Sequence, residues 1–83
     1  MAALLPATAL SLADLEPGAR ARVAAVDPGC AIGRRLLDLG FVAGTPVRVV
    51  RRAPFGDPVE YELRGYRLCL RRSEASRIRV ERA

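Results

Sequence analysis

The chain has 83 residues, 51% of them hydrophobic and 28% charged, the composition of one folded domain rather than two domains or a disordered tail. No apolar run approaches the ~20 residues of a membrane-spanning helix. There is no His, there are only two Cys, and the net charge is +5. Catalysis built on Ser-His-Asp or Cys-His is therefore excluded, and a fold stapled by disulfides or zinc is disfavoured.

All fourteen basic residues are Arg, and Lys, Asn and Gln are absent. This reads as codon bias in a GC-rich genome rather than as selection for guanidinium chemistry. The positive balance suits nucleic acid, an acidic protein surface or a membrane face, and equally a solvated surface on which Arg alternates with acids. The remaining catalytic inventory is thin. Ser11, Ser73, Ser76, Thr8 and Thr45 lie in no nucleophile elbow. Without Lys there is no phosphate-binding loop of the Gly-rich, Lys-containing kind. Glu60 and Glu62 share one face of a strand, which favours an exposed strand surface over acid–base chemistry.

Residues 1–9 are mildly apolar and are expected to form a weakly ordered extension. Ala7-Thr8-Ala9 is like a signal cleavage site, but no basic residue precedes it and Pro6 interrupts the apolar stretch, so no secretory signal is expected. The remaining residues, 10–83, form a single domain. Ser11-Leu12-Ala13-Asp14 has capping-box spacing and predicts one helical turn with Leu12 and Leu15 inward. Pro17-Gly18 turns into a strand over 19–26, with Ala21 and Val23 on one face and Arg20 and Arg22 on the other. Asp27-Pro28-Gly29 breaks that strand.

A helix over 30–39 follows, its apolar stripe Ile32, Leu36 and Leu39, widened by Leu37. Gly40 is placed to end it in a left-handed conformation, with Phe41 packing back. Val47, Val49 and Val50 mark a strand from which Arg48, Arg51 and Arg52 project. Ala53-Pro54-Phe55-Gly56-Asp57-Pro58 is a loop, since two prolines do not suit a central strand. Val59, Tyr61 and Leu63 alternate with charges, Arg64-Gly65 is a two-residue hairpin turn, and Tyr66, Leu68 and Leu70 return. Both tyrosines read as core positions. A helical turn over 72–76 and a short strand at Ile78 and Val80 complete the chain. The order predicts a mostly β fold, a small SH3-like antiparallel barrel of about five strands with one inserted α-helix plugging an open end.

Arg35-Leu36-Leu37-Asp38-Leu39-Gly40-Phe41, then Gly44-Thr45-Pro46-Val47, Arg52 to Pro58, Gly65, Leu68-Cys69-Leu70-Arg71, Glu74-Ala75 and Ile78-Arg79-Val80 together resemble the FeoA family, ferrous iron transport protein A. Leu12, Leu15 and Pro17-Gly18 fit its opening. The resemblance covers about residues 10–81 and departs at Ala43, where the family often has Pro, and at Cys69, where a small apolar residue is common. It implies an SH3-like barrel, a small cytoplasmic accessory of bacterial ferrous iron uptake, and a partner in the FeoB transporter, whose cytoplasmic part binds GTP. Similar domains end iron-dependent repressors; with no helix-turn-helix, this chain would be a lone module.

The candidate partner-binding residues are Pro54, Phe55 and Asp57 in the loop and Arg34 and Arg35 on the outer face of the helix. Phe55 reads as a partner anchor or as a lid folded onto the core, with the lid favoured. Asp57 reads as a loop-stabilising Asx turn or as a contact. Arg34 and Arg35 match acidic partners, though solvation alone would also explain them. The arginines of neighbouring strands form a basic stripe of the kind single-strand nucleic-acid binders use, but exposed aromatics between them are lacking, so no nucleic-acid partner is expected. Cys30 and Cys69 are weak metal candidates at a spacing that fits no zinc pattern. No cofactor is expected beyond a transient transition metal. An open sheet edge also allows a weak homodimer. The alternatives to a FeoB-binding accessory are a metal-responsive module and a small nucleic-acid-binding barrel.

Overall fold

The computed structural model describes residues 10–26 and 31–83. The expected extension over 1–9, the break at Asp27-Pro28-Gly29 and Cys30 lie outside the described residues. The elements in chain order are β1 (Leu10–Ser11), a 3₁₀ turn (Leu12–Asp14), β2 (Arg20–Val26), α1 (Ala31–Asp38), β3 (Pro46–Arg52), β4 (Val59–Leu63), β5 (Tyr66–Leu70), α2 (Arg72–Ala75) and β6 (Ile78–Arg82). One antiparallel sheet carries all six strands in the order β1-β6-β2-β3-β4-β5. The SH3-like, mostly β architecture is the expected one. The sixth strand is β1, too short to show in the residue pattern, and the hydrogen-bonded order leaves β1 and β5 as edges.

Two bulges let this small sheet fill its core. In β2, Val23 pairs with Val80 and Ala25 with Arg79, so Ala24 is an extra residue. Simple alternation would turn Val26 outward; the bulge brings it back, and Ala21, Val23 and Val26 are all buried. In β3, Val49 pairs with Tyr61 and Arg51 with Glu60, leaving Val50 as the extra residue. Val47 and Val49 stay in the core, while Arg48 and Arg51, three apart, share the outer face. Arg52 is displaced toward the inner side, where its guanidinium donates to the Leu15 carbonyl at 3.0 Å.

The buried residues of β2 to β6 form a single core cluster with Leu12, Leu15, Leu36, Phe41 and Ala75. The helix enters this core differently from the expected stripe. Leu36 is fully buried and Gly33 is buried beside it, whereas Ile32 is 37% exposed and Leu39 only partly covered. The helix seats on its Gly33–Leu36 side, where the missing side chain at Gly33 permits a close approach, and Ile32 is left outside that contact. Its end follows the sequence. Gly40 has φ +110, its N–H donates to the Leu37 carbonyl at 3.0 Å, and the Phe41 N–H donates to the Leu36 carbonyl at 3.1 Å. That is a Schellman cap with Phe41 as its buried apolar residue. The Leu39 carbonyl accepts from the Tyr66 hydroxyl. Tyr66 is thus a half-exposed clasp between β5 and α1, not the core residue its alternation suggested, while Tyr61 is in the core as expected.

The β4–β5 hairpin turns at Arg64-Gly65, with φ of +52 and +85. Two left-handed residues make the type I′ turn whose twist suits a tight hairpin.

Candidate functional site

The loop between β3 and β4 is built to hold its tip outward. The Gly56 N–H donates to the Ala53 carbonyl at 2.7 Å, closing a turn with Pro54 and Phe55 in the middle. The Ala53 N–H donates to the Pro58 carbonyl at 3.0 Å and shuts the base. Asp57 Oδ1 accepts from the Arg72 backbone N–H at 2.9 Å, tying the loop to the first amide of α2. Phe55, at the tip, is 98% exposed. The lid expected for it is overturned. The core is closed without it by Tyr61 and Phe41, and the turn hydrogen bond directs the tip away from the sheet. Asp57 serves the loop, though through α2 rather than through an Asx turn of its own.

The other two expected partner residues stand apart from the loop. Arg34 is exposed on α1. Arg35 is engaged: its guanidinium pairs with Glu74 of α2. The structure therefore gathers Pro54, Phe55 and Asp57 in one loop and leaves Arg34 and Arg35 on the helix. Among the described residues, no hydrogen bond or ion pair joins the two sets.

The arginine stripe is largely an ion-pair ladder. Across β2, β3, β4 and β5 the register aligns Arg20, Arg48, Glu62 and Arg67. Arg48 donates twice to Glu62 Oε1, at 3.1 and 2.6 Å, and Arg67 lies 3.8 Å from Oε2. The next row is Arg51, Glu60 and Cys69, with Arg51 donating to Glu60 at 2.8 Å. The Arg48 hydrogen bond, with Arg48, Arg67 and Arg20 as surrounding charges, holds the Glu62 carboxyl below its ordinary range against a smaller desolvation effect. Sequence reasoning put Glu60 and Glu62 on one face but missed their partners. The bulge at Val50 makes Arg48 and Arg51 face them together, and bulges leave little trace in residue alternation.

A groove of about 570 Å³ runs beside the loop, lined by Arg51, Arg52, Ala53, Pro54, Pro58, Glu60 and Cys69. The Cys69 thiol is free and exposed. Among the described residues no group of three His, Cys, Asp or Glu side chains is placed to hold a metal ion, and no helix is long and apolar enough to cross a membrane.

A family model for the FeoA domain matches residues 10–82, the whole of the sheet and both helices. The chain belongs to the FeoA family. Its 72-residue match to a Porphyromonas gingivalis protein, a fusion of Fe(2+) transport protein A with the Fe(2+) transporter FeoB, is 38% identical and covers 87% of this chain. This FeoA chain spans only 8% of that relative's length. Among solved structures, a FeoA-like protein from Clostridium acetobutylicum is 38% identical, with a TM-score of 0.85 over 89% of this chain and 86% of its own. The Stenotrophomonas maltophilia FeoA, solved with zinc and described as a prokaryotic SH3 domain protein, is 38% identical with a TM-score of 0.79, covering 87% and 89% of the two chains. A manganese-dependent transcriptional repressor at 21% identity shares the fold, with a TM-score of 0.82.

Proposed function

We propose that this FeoA chain is an accessory of ferrous iron uptake that performs no chemistry of its own and works in the cytoplasm by docking on the GTP-binding part of a FeoB transporter. The observation that carries this reading is the fused relative. There, a segment 38% identical to this chain shares one polypeptide with a FeoB transporter. Fusing two modules keeps each at high effective concentration around the other, which favours pairs that work in contact. The Phe55 loop supplies a suitable contact. A rigid tip bearing a bare aromatic ring desolvates a large apolar area at small entropic cost, which is how interface anchors gain their affinity.

Isothermal titration of this chain into the cytoplasmic domain of FeoB from the same organism tests the reading. Runs with GDP and with a non-hydrolysable GTP analogue, at low and moderate salt, cover both nucleotide states. Saturable 1:1 binding in at least one state is expected. Absence of binding in every condition rejects the proposal.

A further inference from the structure

The charge ladder on the outer face of the sheet stops at an open edge. β5 is the last strand of the order, and among the described residues its only neighbour is β4. The hairpin turn has two residues, so its closing pair, Leu63 and Tyr66, exchanges both backbone hydrogen bonds. Alternation then puts Leu68 and Leu70 in bonds to β4 and leaves the N–H and C=O of Arg67 and Cys69 pointing away from the sheet. Among the described residues, no backbone hydrogen bond from another segment reaches either one. Arg71 closes the far end of this edge, since its N–H donates to Glu74 Oε1 at 2.9 Å and its carbonyl accepts from Glu74 and Ala75.

We infer that the outer edge of β5 takes up an extended acidic segment of a partner protein as an added strand. The edge offers two donors and two acceptors in strand geometry, the requirement for strand addition. Charge selects the occupant. Glu62 is the one carboxylate in a row with Arg20, Arg48 and Arg67, so the row ends on a cation whose open side faces the edge. Arg71 and Arg72 follow along the chain with no acid between them. A strand bearing carboxylates on its outer face continues the alternation. A second copy of this chain answers the charge less well: antiparallel pairing of two β5 edges about Cys69 sets Arg67 opposite Arg71, and pairing about Leu68 sets Arg67 opposite Cys69, so neither register brings a carboxylate to Arg67. Cys69 also lines the groove walled by Pro54 and Pro58, so the edge and the Phe55 loop form one continuous surface. The inference rests on the reading of this chain as a docking module and adds the chemistry of what docks.

The probe is a short peptide alternating Val and Glu, blocked at both ends, with a Val and Lys counterpart as control. Binding to the full chain is followed by amide hydrogen exchange and by chemical shifts. The Glu peptide is expected to bind saturably and to slow exchange at the Arg67 and Cys69 amides. The Lys peptide, the R67E/R71E double variant and Cys69→Pro should each weaken binding by about tenfold or more. Cys69→Pro deletes an outward N–H while sparing the bonds to β4. Should that variant not fold, the double charge reversal decides. Failure of the Glu peptide to bind, equal binding of both peptides, or unchanged exchange at Arg67 and Cys69 overturns the inference. Titration of the unaltered chain with the FeoB domain is read separately. Peptide binding without FeoB binding rejects only the proposed partner, and FeoB binding without peptide binding rejects only the edge.

Discussion

Replacing Phe55 with Ala separates docking from folding. The ring is 98% exposed and touches nothing that the fold depends on. Its removal should change stability by no more than about 0.5 kcal/mol, the range of ordinary surface substitutions. In a domain of this size that is a melting shift of under about 4 °C. Binding is another matter. Because almost the whole side chain is in water before docking, nearly all of its burial energy is available to a partner, about 1.5–3 kcal/mol for a fully buried Phe. That corresponds to an affinity loss of about 10- to 150-fold. Titration of the variant against the FeoB cytoplasmic domain measures the loss, and a thermal melt of the same sample measures stability. Phe55→Leu should restore much of the affinity, since it keeps apolar bulk at the tip. An affinity within threefold of the parent chain, or a melting temperature lower by ten degrees, would refute the reasoning. The first result means that the ring is not buried by the partner; the second means that it supports the fold.

Other consequences follow from the same structure. Gly40→Ala places a Cβ at φ +110 and 3.0 Å from the Arg64 Cδ; a loss of about 1–2 kcal/mol is expected, which lowers the urea midpoint by about 1–2 M, and a loss below about 0.5 kcal/mol contradicts the helix cap described above. Asp57→Ala removes the acceptor for the first amide of α2 and should cost about 1 kcal/mol in a urea titration, with larger hydrogen-exchange rates confined to the loop and α2. Burial pushes the Tyr61 hydroxyl up to about 12 from its ordinary 10. Its folded pKa lies above its unfolded one, so this contribution is complete below pH 10 and is lost as the pH rises to 12, about 3 kcal/mol in all. Tyr61→Phe should flatten the stability profile across that window, and an unchanged slope would count against a buried phenol. At the acid end, the Glu62 carboxyl titrates below its unfolded range, so its contribution is present above the unfolded pKa and disappears as the pH falls through the folded one. Glu62→Gln should make the acid limb of the stability profile shallower.

The local rules written into this chain are reliable where one residue type has one physical use. Gly40 followed by Phe41 specifies a helix cap, Arg64-Gly65 specifies a tight hairpin, and Val59, Tyr61 and Leu63 specify a half-buried strand; all three are found as expected. Features that depend on how two segments meet are not legible in this way. Val50 looks like one more core valine, yet it is the extra residue of a bulge, and the Arg–Glu ladder exists only because that bulge turns Arg48 and Arg51 to the same side. Ile32 fits the helical stripe, but Gly33 sets the side on which the helix seats. Phe55 shows the same limit at the candidate site. An aromatic between two prolines fits a lid or an anchor, its residue type favours the lid, and the turn bond from Gly56 to Ala53, with Asp57 pinned to α2, decides for the outward direction.

The proposed function requires this protein to dock with the loop from Ala53 to Pro58 at the interface. Residue-resolved amide shifts of the labelled chain, followed during titration with the FeoB cytoplasmic domain, test it most directly. The largest changes are expected on residues 53–58 and along β5, with the far edge at β1 unaffected. Changes confined to α1 and β1, or a spectrum that stays the same with the partner in excess, would contradict it.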